Sequence, residues 1–277
     1  MDIPRIPLGL GIEAIIDFLV ENFSPATKAM SAVVNTGLKF IETSLMAMPE
    51  WLFITLAAGL AWWLTKRKGI ALFTLVGLTF IWSMDLWQAT VSTIALVVVS
   101  TMFAIMLGIP LGIAAALSRT MYRLITPILD VMQTMPAFVY LIPAIPFFGL
   151  GKVAAIFSTV VFAVPPAIRL TCLGIQQVPA ELSECADAFG STRWQKLIKL
   201  ELPLATPTIM AGINQTVMLA LSMVVIASMI GAKGLGGEVW KAIQRLQMGN
   251  GFEAGIGIVI VAIILDRILQ RFGVRKA

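Results

Sequence analysis

Long apolar runs without a single charge dominate the middle of the chain. Residues 86–118, 131–151 and 202–232 contain no Asp, Glu, Lys or Arg. Each run exceeds the roughly 20 residues that an α-helix needs to cross the hydrocarbon core of a bilayer. The pattern therefore predicts at least three membrane-spanning helices.

Four further apolar segments are shorter or closely flanked by charge. Segment 153–168 is uncharged and flanked by Lys152 and Arg169, and segment 252–269 carries charges only near its ends. Both are predicted to cross the membrane. Segments 51–65 and 69–84 are separated by three basic residues, and they reach span length only if interfacial tryptophans extend them. We expect these two to form a helical hairpin. In all, the pattern predicts an all-α membrane protein with about seven transmembrane helices.

Residues 1–48 have a different pattern, in which apolar and acidic positions recur at helical spacing. Ile12, Ile15, Ile16 and Leu19 share one face, and Glu13, Asp17 and Glu21 lie beside it. We interpret residues 1–48 as an N-terminal amphipathic extension at the membrane interface, followed by a transmembrane domain over residues 49–277. A soluble extension is the alternative.

A charged segment separates the apolar runs before and after it and carries several helix start and stop signals. Pro179 suits the first position of a helix, and Gly190 suits a left-handed stop. Thr192 and Gln195 have the spacing of a capping box, and Pro203 is expected to end the helix that they begin. The segment is predicted to form two short helices that meet at Gly190.

The spacing within this segment resembles the EAA loop of ABC importer permeases. Glu184, Cys185 and Ala186 are followed after three residues by Gly190, and after nine more by Leu-Glu-Leu-Pro at 200–203. The surrounding residues, about 86–271, resemble the glycine betaine, proline and choline branch of that family. The resemblance implies a type I, MetI-like permease with a cytoplasmic coupling loop at 172–203. The coupling residues that it implies are Glu184, Cys185, Ala186, Phe189, Gly190, Leu202 and Pro203.

The resemblance also implies partners and a cargo. A cytosolic ABC ATPase would hydrolyse ATP, an external substrate-binding protein would deliver cargo, and a second permease copy would complete the path through the lipid membrane. The implied cargo is a quaternary ammonium osmolyte: glycine betaine, choline or proline betaine. A permease for another small amino-acid-like solute, an ion-coupled secondary transporter and a non-transporting scaffold are the alternatives.

Composition and charge agree with a membrane protein. The chain is 58% hydrophobic and 13% charged, whereas a soluble domain averages about 25% charged residues. Basic residues cluster at 66–68, 119–123, 169–199 and 271–276, which places these segments in the cytoplasm. The protein is then expected in the inner membrane, with its N-terminus on the external side and its C-terminus in the cytoplasm. Because topology accounts for much of the net charge of +5, nucleic acid is not an indicated partner.

Catalytic chemistry is not indicated. The sequence has no histidine and two cysteines, which excludes His-based triads, His-ligated metals and a thiolate cage. It also has no GxxxxGK[ST] phosphate loop. We therefore expect a transport subunit that is not an enzyme and binds no metal or cofactor itself.

Polar and methionine residues inside the predicted spans are candidates for lining the translocation path. The alternative is interhelical hydrogen bonding for the polar residues, worth roughly 0.6–2 kcal/mol per contact, and gap filling for the methionines. Asp130 is either a proton or cation site, or a structural carboxylate that is paired with Arg123 or Arg169 or bonded to a backbone group near a helix break. The other candidates are Gln133, Met135, Asn214, Gln215 and Met218.

Overall fold

A computed structural model of the chain describes residues 8–273, with side chains from 9 to 271. Every regular element in this part of the chain is helical. A 3₁₀ turn covers Ala137–Tyr140, and a π-helical turn covers Leu197–Glu201. The α-helices are α1 (Leu8–Met46), α2 (Glu50–Thr65), α3 (Lys68–Ser83), α4 (Trp87–Leu117), α5 (Arg119–Thr134), α6 (Leu141–Phe148), α7 (Lys152–Gln176), α8 (Ala180–Ala188), α9 (Arg193–Lys196), α10 (Leu202–Ser228), α11 (Leu235–Gln244) and α12 (Met248–Gly273).

Helices α4, α7 and α10 form the centre of the molecule, and glycines allow them to approach closely. A Cβ atom on Gly112 of α4 would lie 2.6 Å from Cβ of Thr171 and 2.7 Å from the carbonyl oxygen of Ile168 on α7. A Cβ on Gly212 of α10 would lie 2.9 Å from Cβ of Leu170. Lipid provides no hydrophobic force between helices, so such small-residue contacts supply the packing that holds them together.

Length and composition identify three described helices as able to cross a membrane. They are α4, α7 and the continuous helix Arg193–Ser228, and the number rises to five if each of two sharply bent helix pairs is one span. The expected hairpin is present as α2 and α3, which pack together and are joined at Lys66 in a left-handed conformation, φ 56°. The total of seven spans stays a prediction.

The apolar run over residues 131–151, which contains Pro136, Pro143 and Pro146, is a broken helix rather than a straight one. Helix α5 ends at Thr134, and the chain then turns through 113° between α5 and the Ala137–Phe148 segment. Met135 is extended, ψ 134°, because it precedes Pro136, whose ring disfavours helical geometry in the residue before it. The bend leaves an interrupted backbone in the middle of the apolar run.

Helix α1 is a single helix whose two halves have different surroundings. The first half leaves large apolar side chains exposed, among them Ile12, Ile15 and Phe18. The second half packs on α4, α6 and α7. There Leu38 is fully buried, and Glu42 bonds to Lys152 at the start of α7, with Nζ to carboxylate oxygen distances of 2.6 Å. The domain boundary at residue 48 and the interfacial position of residues 1–48 stay predictions, and Leu38 and Glu42 belong to the packed body.

Replacing Lys152 by methionine is expected to lower the free energy of unfolding by up to about 3 kcal/mol, because Glu42 would keep a buried charge without its partner. The two side chains are only 23% and 10% exposed. Thermal unfolding in detergent, followed by tryptophan fluorescence, would measure the loss. Lys241→Met is the matched control, since Lys241 is 57% exposed and pairs with Glu238 on the surface. Equal losses in the two variants would contradict the prediction.

Candidate coupling surface and translocation path

Helix α8 is bounded by the signals that the sequence contains. Pro179 precedes the helix in an extended conformation, ψ 132°, so the expectation that it holds the first helical position is off by one residue. The predicted stop at Gly190 is confirmed by its φ of 75°. The amide of Ser191 donates to the carbonyl of Ala186 at 3.0 Å, which is the long hydrogen bond of a Schellman cap.

No residue of α8 is buried by the rest of the described chain. Phe189, directly after the helix, is 85% exposed, and Leu182 is 42% exposed. Leu182, Ala186 and Phe189 are three or four residues apart, so they share one apolar face. An exposed apolar face rimmed by acidic residues is typical of a surface that binds another protein.

Helix α9, which follows α8, is held at a defined position relative to it. Its predicted capping box is confirmed: the amide of Gln195 donates to Oγ1 of Thr192 at 3.3 Å, and the amide of Thr192 donates to Oε1 of Gln195 at 2.9 Å. Lys196 then donates to both carboxylate oxygens of Asp187 on α8, at 2.9 and 2.8 Å. Helices α8 and α9 therefore form one unit, which we call the coupling unit.

Pro203 does not end the second helix, and that expectation is wrong. The helix is continuous from Arg193 to Ser228, with a π-helical turn directly before the proline. In that turn the amide of Leu202 bonds to the carbonyl of Leu197, five residues back. Pro203 has no amide hydrogen to contribute, and at the first turn of α10 a proline is tolerated.

The predicted coupling residues occupy two places. Five of them lie on α8 or in its cap, and none of the five is buried: Glu184, Cys185, Ala186, Phe189 and Gly190. Leu202 and Pro203 lie instead at the base of α10, where Leu202 packs on a small core around Leu197, which is 2% exposed.

Sequence reasoning missed two large apolar residues beside this surface. Trp194 is 68% exposed and Ile198 is 59% exposed. Both lie within a stretch rich in basic residues, so the charge pattern concealed them. Their spacing of four residues on one helix was the available signal.

The candidates for lining the path have separate locations. Asn214 on α10 donates from Nδ2 to Oδ1 of Asp266 on α12 at 2.8 Å, and Gln270 donates to the same carboxylate. Asn214 thus makes an interhelical hydrogen bond, as the alternative interpretation expects. Met218 is half-buried against the core. Gln133, Met135 and Gln215 remain at least partly exposed, and their role in the path stays a prediction.

Helix α5 carries a polar stripe that sequence reasoning missed. Its members recur every three or four residues and are exposed or half-buried: Arg119, Arg123, Thr126, Asp130 and Gln133. Asp130 accepts a hydrogen bond from the Arg169 guanidinium of α7, which confirms the expected pairing for this carboxylate. The 3.6-residue period of polar residues inside an otherwise apolar region was the signal that could have found the stripe.

Comparison with protein families gives a direct match over more than half of the chain. Residues 108–274 match the family described as binding-protein-dependent transport system inner membrane component. The chain belongs to this family. Membership makes it a multi-pass inner-membrane transport subunit. Helices α5 to α12 lie within the matched residues, and α4 overlaps them only in its last third.

Individual family members are similar along nearly the whole chain. The glycine betaine transport system permease protein OpuAB of Bacillus subtilis is 51% identical over 274 residues, which is 99% of this chain and 97% of the relative. The glycine betaine/proline betaine transport system permease protein ProW of Escherichia coli is 47% identical over 268 residues, 97% of this chain and 75% of the relative. The expected branch of the family is confirmed.

The solved structures of the family include a similar fold. The permease of the MetNI methionine ABC transporter, in an inward-facing conformation, matches with a TM-score of 0.58 and 25% identity. The match covers 68% of this chain and 92% of that one. The expected all-α, MetI-like permease fold is confirmed.

Proposed function

We propose that this chain is the membrane permease of an ATP-driven importer for a quaternary ammonium osmolyte, with glycine betaine as the first candidate and choline and proline betaine next. The observation that carries the proposal is the 51% identity along 99% of the chain to a permease named for glycine betaine transport. The sequence has no histidine and only two cysteines, which supports a subunit that moves its cargo without changing it covalently.

The proposal assigns α8 and its cap to contact with a cytosolic ABC ATPase. The exposed face around Phe189 supports this, because its apolar surface is left uncovered by the described chain. ATP would be bound and hydrolysed by that partner, and this chain would bind no cofactor. The coupling unit then lies in the cytoplasm, the N-terminus outside and the C-terminus inside. A second copy of the permease and an external binding protein complete the assembly.

The geometry supplies a way to couple the ATPase to the path. The coupling unit is joined to α7 by residues 177–179 and to α10 by a continuous helix. Helices α7 and α10 also pack closely on each other through Gly174 and Gly212. A displacement of the unit therefore moves both central helices as one body, which is the kind of rigid movement that switches a transporter between inward and outward openings.

Reconstitution tests the proposal. In proteoliposomes, this chain together with its ATPase and binding protein is expected to accumulate labelled glycine betaine only when ATP is supplied. ATPase activity is expected to rise when loaded binding protein is added. Omitting the ATPase is the control, and uptake is expected to stop.

Two results would overturn this function. Uptake by the permease alone, driven by an ion gradient, would make the protein a secondary transporter. ATP-driven uptake of a small amino acid with no uptake of any quaternary ammonium compound would retain the importer and replace its cargo.

A further inference from the structure

A cavity of about 280 Å³ lies between α5 and α7, close to the polar stripe. Most of its wall is apolar, and four lining residues carry polar groups: Tyr122, Thr126, Arg169 and Gln176. Ligand pockets for drug-sized molecules begin at about 300 Å³. The cavity therefore suits a compact solute of a few non-hydrogen atoms.

Arg169 lines this cavity, and its side chain is 38% exposed. One of its terminal nitrogens donates to Asp130, and the other makes no hydrogen bond to a described residue. A carboxylate is the group that pairs best with a guanidinium. The cavity thus has a position for a ligand carboxylate.

Tyr122 provides the complementary feature on α5. Its side chain is 44% exposed and lines the same cavity. The face of an aromatic ring attracts quaternary ammonium groups, which have no hydrogen-bond donors of their own. One cavity therefore combines an aromatic ring for the cation and a guanidinium for the carboxylate.

The pairing of Arg169 with Asp130 also favours a zwitterion over a ligand that carries one charge only. Arg169 disfavours a ligand that is only a cation, and Asp130 disfavours one that is only an anion. A zwitterion offers each of them an opposite charge. An uncharged solute could offer an oxygen to Arg169, but that hydrogen bond would lack the charge assistance of a carboxylate.

The position of the cavity fits the route of a solute. The polar stripe begins in the predicted cytoplasmic cluster 119–123 and reaches the predicted span 131–151 at Gln133. Where it enters the membrane, its polar groups are expected to face protein or water rather than lipid. Arg169 follows directly after the predicted span 153–168, at the end of α7 that leads into the coupling unit. The cavity therefore lies at the predicted cytoplasmic ends of the spans 131–151 and 153–168.

We infer that this cavity is a cargo subsite on the cytoplasmic side, which holds a quaternary ammonium carboxylate with its carboxylate on Arg169 and its cationic head on Tyr122. This inference rests on the proposed function and adds to it a selectivity element in the permease itself. It assigns Arg169 and Tyr122 as binding residues and Asp130 as the residue that positions the guanidinium.

Binding of labelled glycine betaine to the purified permease–ATPase complex in nanodiscs, without the external binding protein, tests the inference by equilibrium dialysis. Saturable binding is expected, and choline, which lacks the carboxylate, should compete at least about tenfold less well, as for a lost charge-assisted hydrogen bond. Arg169→Gln and Tyr122→Leu are each expected to weaken binding by about tenfold or more. Tyr122→Phe keeps the ring and should keep the affinity.

Arg271→Gln is the matched control, because it removes an exposed guanidinium at the end of α12, away from the cavity. Basal ATPase activity of each variant reports whether the complex is folded. Absence of saturable binding to the wild-type complex would overturn the inference, and so would unchanged affinity in both cavity variants. Uptake by the same wild-type preparation with its binding protein separates the two proposals: import without this binding overturns only the subsite, whereas absence of import overturns the function.

Discussion

Replacing Gly190 by valine is expected to abolish import while the chain still inserts in the membrane. Gly190 has a φ of 75°, where a β-branched residue is strongly disfavoured. Valine would open the Schellman cap and turn α8 away from α9. Because the apolar face of α8 needs a fixed orientation to fit a partner, the ATPase should no longer bind stably.

Copurification with a tagged ATPase and uptake in proteoliposomes measure the effect of this substitution. Phe189→Asp should give the same result without backbone strain, since losing a central aromatic residue of an interface costs about 2 kcal/mol or more. Gly59→Val is the control: Gly59 lies in α2, with no neighbouring atom within 4 Å of an added Cβ. Normal uptake by both coupling variants would show that α8 is not the ATPase contact.

Replacing Gly112 by leucine is expected to separate α4 from α7 and to lower the free energy of unfolding by about 3 kcal/mol or more, above the usual range for overpacking. An added Cβ would lie 2.7 Å from the backbone oxygen of Ile168, and backbone cannot move aside as a side chain can. The loss should extend to function, because α7 leads directly into the coupling unit.

Thermal stability in detergent, measured by the fraction that remains monodisperse after heating, tests this second substitution. Gly59→Leu adds the same side chain at an open position and should leave the midpoint nearly unchanged. Gly112→Ala should give an intermediate loss, because it adds only the first clashing atom. A leucine variant as stable as the wild type would mean that α4 and α7 are less closely packed than described.

Local signals in the sequence predicted the coupling segment well. Gly190 and the pair Thr192 and Gln195 act through their own backbone within a few residues, so their effect could be derived without the rest of the fold. The prediction that Pro203 ends a helix was wrong for a related reason. Its missing amide hydrogen is compatible with either a helix stop or the first turn of a helix. The structure has the second, with a π-helical turn before the proline in which Leu197 is buried.

Long-range features were beyond sequence reasoning. The bond between Glu42 and Lys152 joins residues 110 positions apart, and nothing local to either residue indicates the other. The cavity beside Arg169 likewise depends on how α5 lies over α7. Asp130 was the partial exception, because few partners exist for a carboxylate in an apolar region and Arg169 was one of two named.

The continuous helix from Arg193 to Ser228 has a mechanical consequence. Its 36 residues span about 54 Å at 1.5 Å per residue. The close contact of Gly212 with α7 lies near the middle of this rod. A displacement at its coupling end would therefore reach the opposite end at about the same size. Under the proposed function, the stroke at the coupling end must then be about as large as the opening that it produces.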